Sequence, residues 1–110
     1  MAVDFRRLRY ESPEEKRIRE CTLRKRLAEM CLHQAQSNAA NANECLYDAL
    51  SHLACVPECE INIALYDDLH YQYNLPFDKD ACILVKEKLK FLEQLIAKLI
   101  IEKGVHNYDW

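Results

Sequence analysis

The chain has 110 residues, half of them apolar, with 30% charged side chains and a formal net charge of −3. That length suits one small domain with a modest core, and the charge balance lacks the concentrated Lys and Arg of a phosphate-binding surface, so nucleic acid is not an expected partner. One glycine and three prolines are too few chain-breakers for the many turns of a sandwich or barrel, which leaves an all-α fold.

Residues 1–11 read as an extended basic arm, with Phe5, Leu8 and Tyr10 as possible anchors and no apolar h-region of a secretory signal. Ser12, Pro13 and Glu15 then sit where a helix wants its N-cap, its first residue and the carboxylate of a capping box. The helix they start carries Ile18, Leu23, Leu27, Met30 and Cys31 as its apolar face and extends to about residue 39. The asparagine-rich stretch Gln36–Glu44 suits a turn. A second helix is expected from about Asn43 to Cys55, with Leu46, Leu50 and Leu53 on one face and Pro57 ending it.

Ile61, Leu65 and Leu69 recur every four residues, so the connector 59–78 should hold a short helix, with Asp78 as the N-cap of the C-terminal helix. From Lys79 to Lys103, residues Cys82, Val85, Leu89, Leu92, Ile96 and Leu99 alternate steps of three and four, the seam of a long amphipathic helix. Gly104 stops that helix, and 105–110 form an aromatic tail. The organisation is therefore an arm (1–11), a helical pair (12–58), a connector (59–78), a C-terminal helix (79–104) and a tail (105–110). No apolar run reaches the roughly 18 residues of a membrane span.

The six cysteines carry the most specific pattern. Cys21 and Cys31 bracket nine residues, and so do Cys45 and Cys55. On a helix such a pair lies on one stripe, about 15 Å apart along the axis. If the two helices fold back on each other, facing residues keep a constant sum of residue numbers, and Cys21/Cys55 and Cys31/Cys45 share that sum. Ala28 and Ala49 lie nearly opposite each other between these rungs, small enough to allow the close approach that sulfur bridging needs. Leu23, Leu27 and Met30, with Leu46, Leu50 and Leu53, flank the seam and form the expected seat of the C-terminal helix. The residues alone leave three states open: two disulfides, buried thiols, or a zinc site of His52, Cys55 and Cys59 completed by His70 or Cys82. Cys59 and Cys82 are either a third disulfide or two buried free thiols.

The pattern Cys21-x9-Cys31 … Cys45-x9-Cys55 resembles the twin CX9C, or coiled-coil-helix-coiled-coil-helix, family of mitochondrial intermembrane-space proteins. The resemblance implies a disulfide-clamped antiparallel helical hairpin, with Cys21 joined to Cys55 and Cys31 to Cys45, oxidised in that compartment after import without a cleaved presequence. The long amphipathic C-terminal helix is an addition to the family's minimal core. Many members are accessory subunits or assembly factors of respiratory-chain complexes. The implied function is thus a structural accessory subunit of a mitochondrial inner-membrane complex, of respiratory-chain or ATP synthase type. It would sit peripherally on the intermembrane-space side, with other protein subunits as partners and no cofactor, metal or small-molecule substrate. The alternatives are an intermembrane-space assembly factor or chaperone, and a cytosolic helical adaptor with reduced or zinc-bound cysteines. The adjacent cysteines of copper-carrying members are absent.

Other chemistry finds less support. His33, His52, His70 and His106 stand in no recognisable nucleophile–base frame, and the neighbours Asp67 and Asp68 point apart on a helix, so no enzyme is expected. The run Arg24–Arg26 reads as the wet face of the hairpin. Tyr66, Tyr71, Tyr73 and Phe77 form an aromatic group divided between core and interface.

Overall fold

The first helix begins as its residues dictate: the Glu15 backbone N–H donates to Ser12 Oγ at 3.2 Å and the Lys16 N–H to the Ser12 carbonyl at 2.9 Å. Pro13 needs no donor there, and Glu14 and Glu15 place negative charge at the positive end of the helix dipole. The structure, a computed structural model, describes residues 11–37, 39–67 and 76–103. Most of the arm 1–11, the stretch 68–75 with Asp68, Leu69, His70, Tyr71 and Tyr73, the stop at Gly104 and the tail 105–110 lie outside them.

The described residues are all-helical, with no strand among them. Helix α1 runs Pro13–Ser37, α2 Ala42–Ala54, α3 Ala64–Asp67 and α4 Lys79–Lys103, with 3-10 turns at Ala39–Asn41 and Pro57–Cys59. The short helix expected in the connector is thus a single turn within the described stretch, and the C-terminal helix spans the residues of the expected seam. Helices α1 and α2 form an antiparallel hairpin, and α4 packs against both.

The position of α4 is set by α2. Asn43 uses both ends of its amide, donating from Nδ2 to the Pro76 carbonyl at 2.8 Å and accepting the Asp78 N–H at 2.7 Å. One turn later the Tyr47 hydroxyl donates to Asp78 Oδ2 at 3.0 Å, while Asp78 Oδ1 accepts the Ala81 N–H at 3.0 Å and caps α4. Helices α2 and α4 therefore start together and run parallel. Because α4 has 25 residues and α2 has 13, its second half continues past α2 along the first turns of α1. There Leu99 and Glu102 share a groove with Pro13, Glu14 and Arg17.

The core follows the seams. On α4, Cys82, Val85, Leu89 and Leu92 are buried, and Ile96 and Leu99 pack half-buried beyond the end of α2. On α2, Leu46, Leu50 and Leu53 are fully buried. On α1 the buried residues are Ile18, Cys21, Ala28 and Ala35. This corrects the expected apolar face of that helix. Leu23 is 48% exposed and Met30 61% exposed. Each sits two residues from a buried position, about 200° around the helix, and so faces away from the bundle. The seat of α4 is made by the leucines of α2 and the small-residue face of α1.

The chain between α2 and α3 turns without glycine. The Cys55 and Val56 N–H groups fold back onto the His52 and Leu53 carbonyls, tightening the end of α2. After Pro57–Cys59, Glu60 adopts the left-handed conformation with φ 52° and ψ 48°. A side chain there costs about 1 kcal/mol relative to the right-handed region. The only described non-glycine residue at positive φ is this one.

Candidate functional site: the cysteine ladder of the hairpin

The register of the hairpin is fixed by a contact across it. Arg24 Nη1 lies 3.1 Å from His52 Nδ1. Arginine has no acceptor, so His52 presents the lone pair of Nδ1 and Arg24 donates. Counting outward from this rung, Cys31 comes near Cys45, whose charge its thiol senses, while Cys21 and Cys55 border one cleft but Val56, not Cys55, takes the seam position opposite Cys21. Arg24 is thus part of the seam edge and not of the wet face assigned to the run Arg24–Arg26. Lys25, half-buried, bonds Glu29 at 3.3 Å, and only Arg26 is exposed.

Between the rungs the two helices meet on alanine. Cys21, Ala28 and Ala35 recur every seven residues on α1, opposite Val56, Ala49 and Ala42 of the antiparallel partner, and all six are buried. Methyl groups at these positions let two backbones approach more closely than leucines would.

The cysteines differ in environment along this ladder. Cys21, Cys59 and Cys82 are buried, Cys31 and Cys45 half-buried, and Cys55 exposed. Cys55 is exposed because Val56, one residue on, occupies the seam position opposite Cys21. Its Sγ donates back to the Ser51 carbonyl at 3.5 Å, and the Cys45 Sγ donates to Gln34 Oε1 at 3.9 Å. Burial is the main cause that pushes the Cys21, Cys31, Cys45 and Cys59 thiols above their ordinary value of 9.0. Asp48 then Cys45 add to the rise at Cys31, and the neighbouring Cys21 adds to it at Cys59, partly opposed by Lys88. Arg17 contacts Glu58 from one turn before Cys21, which draws the Pro57–Cys59 turn over that end of the ladder. The Arg17 guanidinium holds the Glu58 carboxyl below its usual range.

All six cysteines are free thiols, and no pair lies at bonding distance. Cys59 and Cys82 belong to one core cluster without being joined. His52, Cys55 and Cys59 do not converge: among the described residues no three His, Cys, Asp or Glu side chains form a metal-binding group. Nor is any helix among them long and apolar enough to cross a membrane.

Tyr47 is the residue that the periodicity of leucines left out. It is 1% exposed, stacks its ring against Tyr66 at 5.8 Å between centroids, and joins α2 to the cap of α4. Its signal is the step of four from Asn43 and of three to Leu50, the same face that touches the start of α4. Phe77 is 42% exposed, and Tyr66 is half-buried, so the described part of the aromatic group is divided between core and surface.

No family model, no curated protein and no solved structure matches the chain.

Proposed function

We propose that this chain is a helical scaffold clamped by Cys21–Cys55 and Cys31–Cys45, an accessory subunit of a mitochondrial inner-membrane complex on its intermembrane-space side. The observation that supports the reading is the Arg24–His52 contact across the antiparallel hairpin, whose residue numbers share the sum of the two CX9C pairs. Exposed Leu23 and Met30, with half-buried Leu27 between them, support protein–protein docking as the mode of action. The clamp makes α1 and α2 one rigid strut, and neighbouring subunits bind the apolar surface that the bundle leaves uncovered. No catalytic step enters this account.

The thiol state of the six cysteines favours a second reading, a reduced helical adaptor outside an oxidising compartment. An assembly factor of the same compartment is the third. Fractionation of mitochondria separates all three. A subunit stays at fixed stoichiometry in a large inner-membrane complex through detergent and salt washing, an assembly factor washes off, and an adaptor is not protected inside mitochondria. Loss of the inner rung gives an independent check. Cys31→Ser should lower the stability of the oxidised protein by about 2–4 kcal/mol and leave the reduced protein nearly unchanged.

A further inference from the structure

The open end of the hairpin holds a cleft of about 390 Å³ whose walls include Arg17, Arg19, Arg24, Leu23 and the two thiols of Cys21 and Cys55. That volume is within the range of small-molecule sites. The charges around it do not cancel. Arg17 pairs with Glu58, Arg19 with Glu11, and the wall residue Glu20 with Lys16. Among the described residues Arg24 bonds only the His52 ring, and a ring nitrogen that accepts its hydrogen bond brings no negative charge. One guanidinium therefore lines the cleft without a carboxylate partner among the described residues, together with the one exposed cysteine of the six.

We propose that this cleft is a covalent modification site at Cys55 for a small, carboxylate-bearing disulfide of the glutathione disulfide class, drawn in by Arg24. The Cys55 thiolate attacks one sulfur of the disulfide. The sulfur–sulfur bond breaks, and one glutathione leaves as a thiolate that takes up the proton Cys55 lost. Cys55 is left as a mixed disulfide, its sulfur oxidised as one glutathione is reduced. Where the clamp reading holds, Cys21 on the same cleft then attacks the Cys55 sulfur and expels the second glutathione, which takes up the Cys21 proton. The sum is two protein thiols oxidised to Cys21–Cys55 and one glutathione disulfide reduced to two glutathiones. The other thiols are poorer entry points, since Cys21, Cys59 and Cys82 are buried and Cys31 and Cys45 half-buried.

The test rests on the clamp reading only in its last step. The reduced full chain is treated with glutathione disulfide or with cystamine, a disulfide of positive charge, and the modified cysteine is located by peptide mass. Cys55 should react first. The rate preference for the anionic reagent should be about tenfold or more higher in the folded chain than in the same chain unfolded in urea, since one guanidinium about 6 Å from the reagent's charge changes the rate about threefold per unit of that charge in a water-like dielectric. Arg24→Gln should abolish that excess, and Arg24→Lys should keep most of it. First reaction at Cys31 or Cys45, or an unchanged preference in Arg24→Gln, overturns the proposal. A Cys55 adduct with the charge preference and no subsequent Cys21–Cys55 bond upholds the site and sinks the clamp. A Cys21–Cys55 bond formed without charge preference does the reverse.

Discussion

The carboxylate of Asp78 serves two helices: one oxygen caps α4 through the Ala81 N–H, and the other accepts the Tyr47 hydroxyl of α2 at 3.0 Å. This shared group ties the C-terminal helix to the hairpin at a defined height. Tyr47→Phe should cost about 1–2 kcal/mol, because it leaves that half-buried carboxylate with one partner fewer. Asp78→Ala should cost about 1–3 kcal/mol, since it removes the cap as well. In a double-mutant cycle followed by urea unfolding, the two changes should fall short of additivity. Strict additivity would mean that the contact carries no energy.

Alkaline pH should unfold the reduced protein sooner than the oxidised one. Burial first, then the hydrogen bond to Asp78, pushes Tyr47 from its ordinary 10.0 up to about 12. A group raised on folding stabilises fully below its unfolded value and loses that contribution as pH rises through the folded one. For Tyr47 the window is about pH 10 to 12, and the loss is about 2–3 kcal/mol. Cys21, Cys31, Cys45 and Cys59 are raised in the same direction, mainly by burial, so the reduced protein begins to lose stability above pH 9. Joined cysteines do not titrate, so the clamped form should lose only the Cys59 contribution before the tyrosine window. Urea midpoints between pH 7 and 12, with and without reductant, measure the difference. A reduced protein as stable at pH 11 as at pH 7 would contradict it.

The alanine seam sets how close α1 and α2 stand. Ala49 is fully buried opposite Ala28, so Ala49→Leu should force the helices apart and cost about 1–3 kcal/mol. Leu23→Gln and Met30→Gln should change the stability of the isolated chain by less than about 0.5 kcal/mol, because both side chains face solvent. Leu50→Ala, by contrast, should cost about 2–5 kcal/mol. Thermal melts of the four variants are enough. A large loss at Leu23 or Met30 would mean that α4 seats on the other face of α1.

Much of this architecture was legible because the signals were local. Ser12, Pro13 and Glu15 mark a helix start through groups three residues apart, and the steps from Cys82 to Leu99 mark a seam that one helix carries alone. The antiparallel pairing of the two helices was legible too, and the Arg24–His52 contact lies in the register that equal cysteine spacing suggests. What the pattern could not separate was which of two stripes on α1 faces inward. Leucines and methionine mark one stripe, alanines and a cysteine the other, and hydrophobicity alone favours the larger residues. Close packing of two helices decided for the smaller ones. Tyr47 was missed because its burial depends on Asp78, distant in sequence. The turn at Glu60 carries no glycine to announce it. Among the site residues, position was legible and bonding was not: spacing places sulfurs, but whether they join depends on oxidant and compartment.

Non-reducing peptide mapping of the protein isolated from its own cells, with free thiols blocked at lysis, reaches the central claim directly. The account predicts two cross-linked species, one containing Cys21 and Cys55 and the other Cys31 and Cys45, each lighter by two hydrogens than its separate peptides. Recovery of all four cysteines as alkylated thiols, or cross-links that pair Cys21 with Cys45 or Cys31 with Cys55, would contradict it.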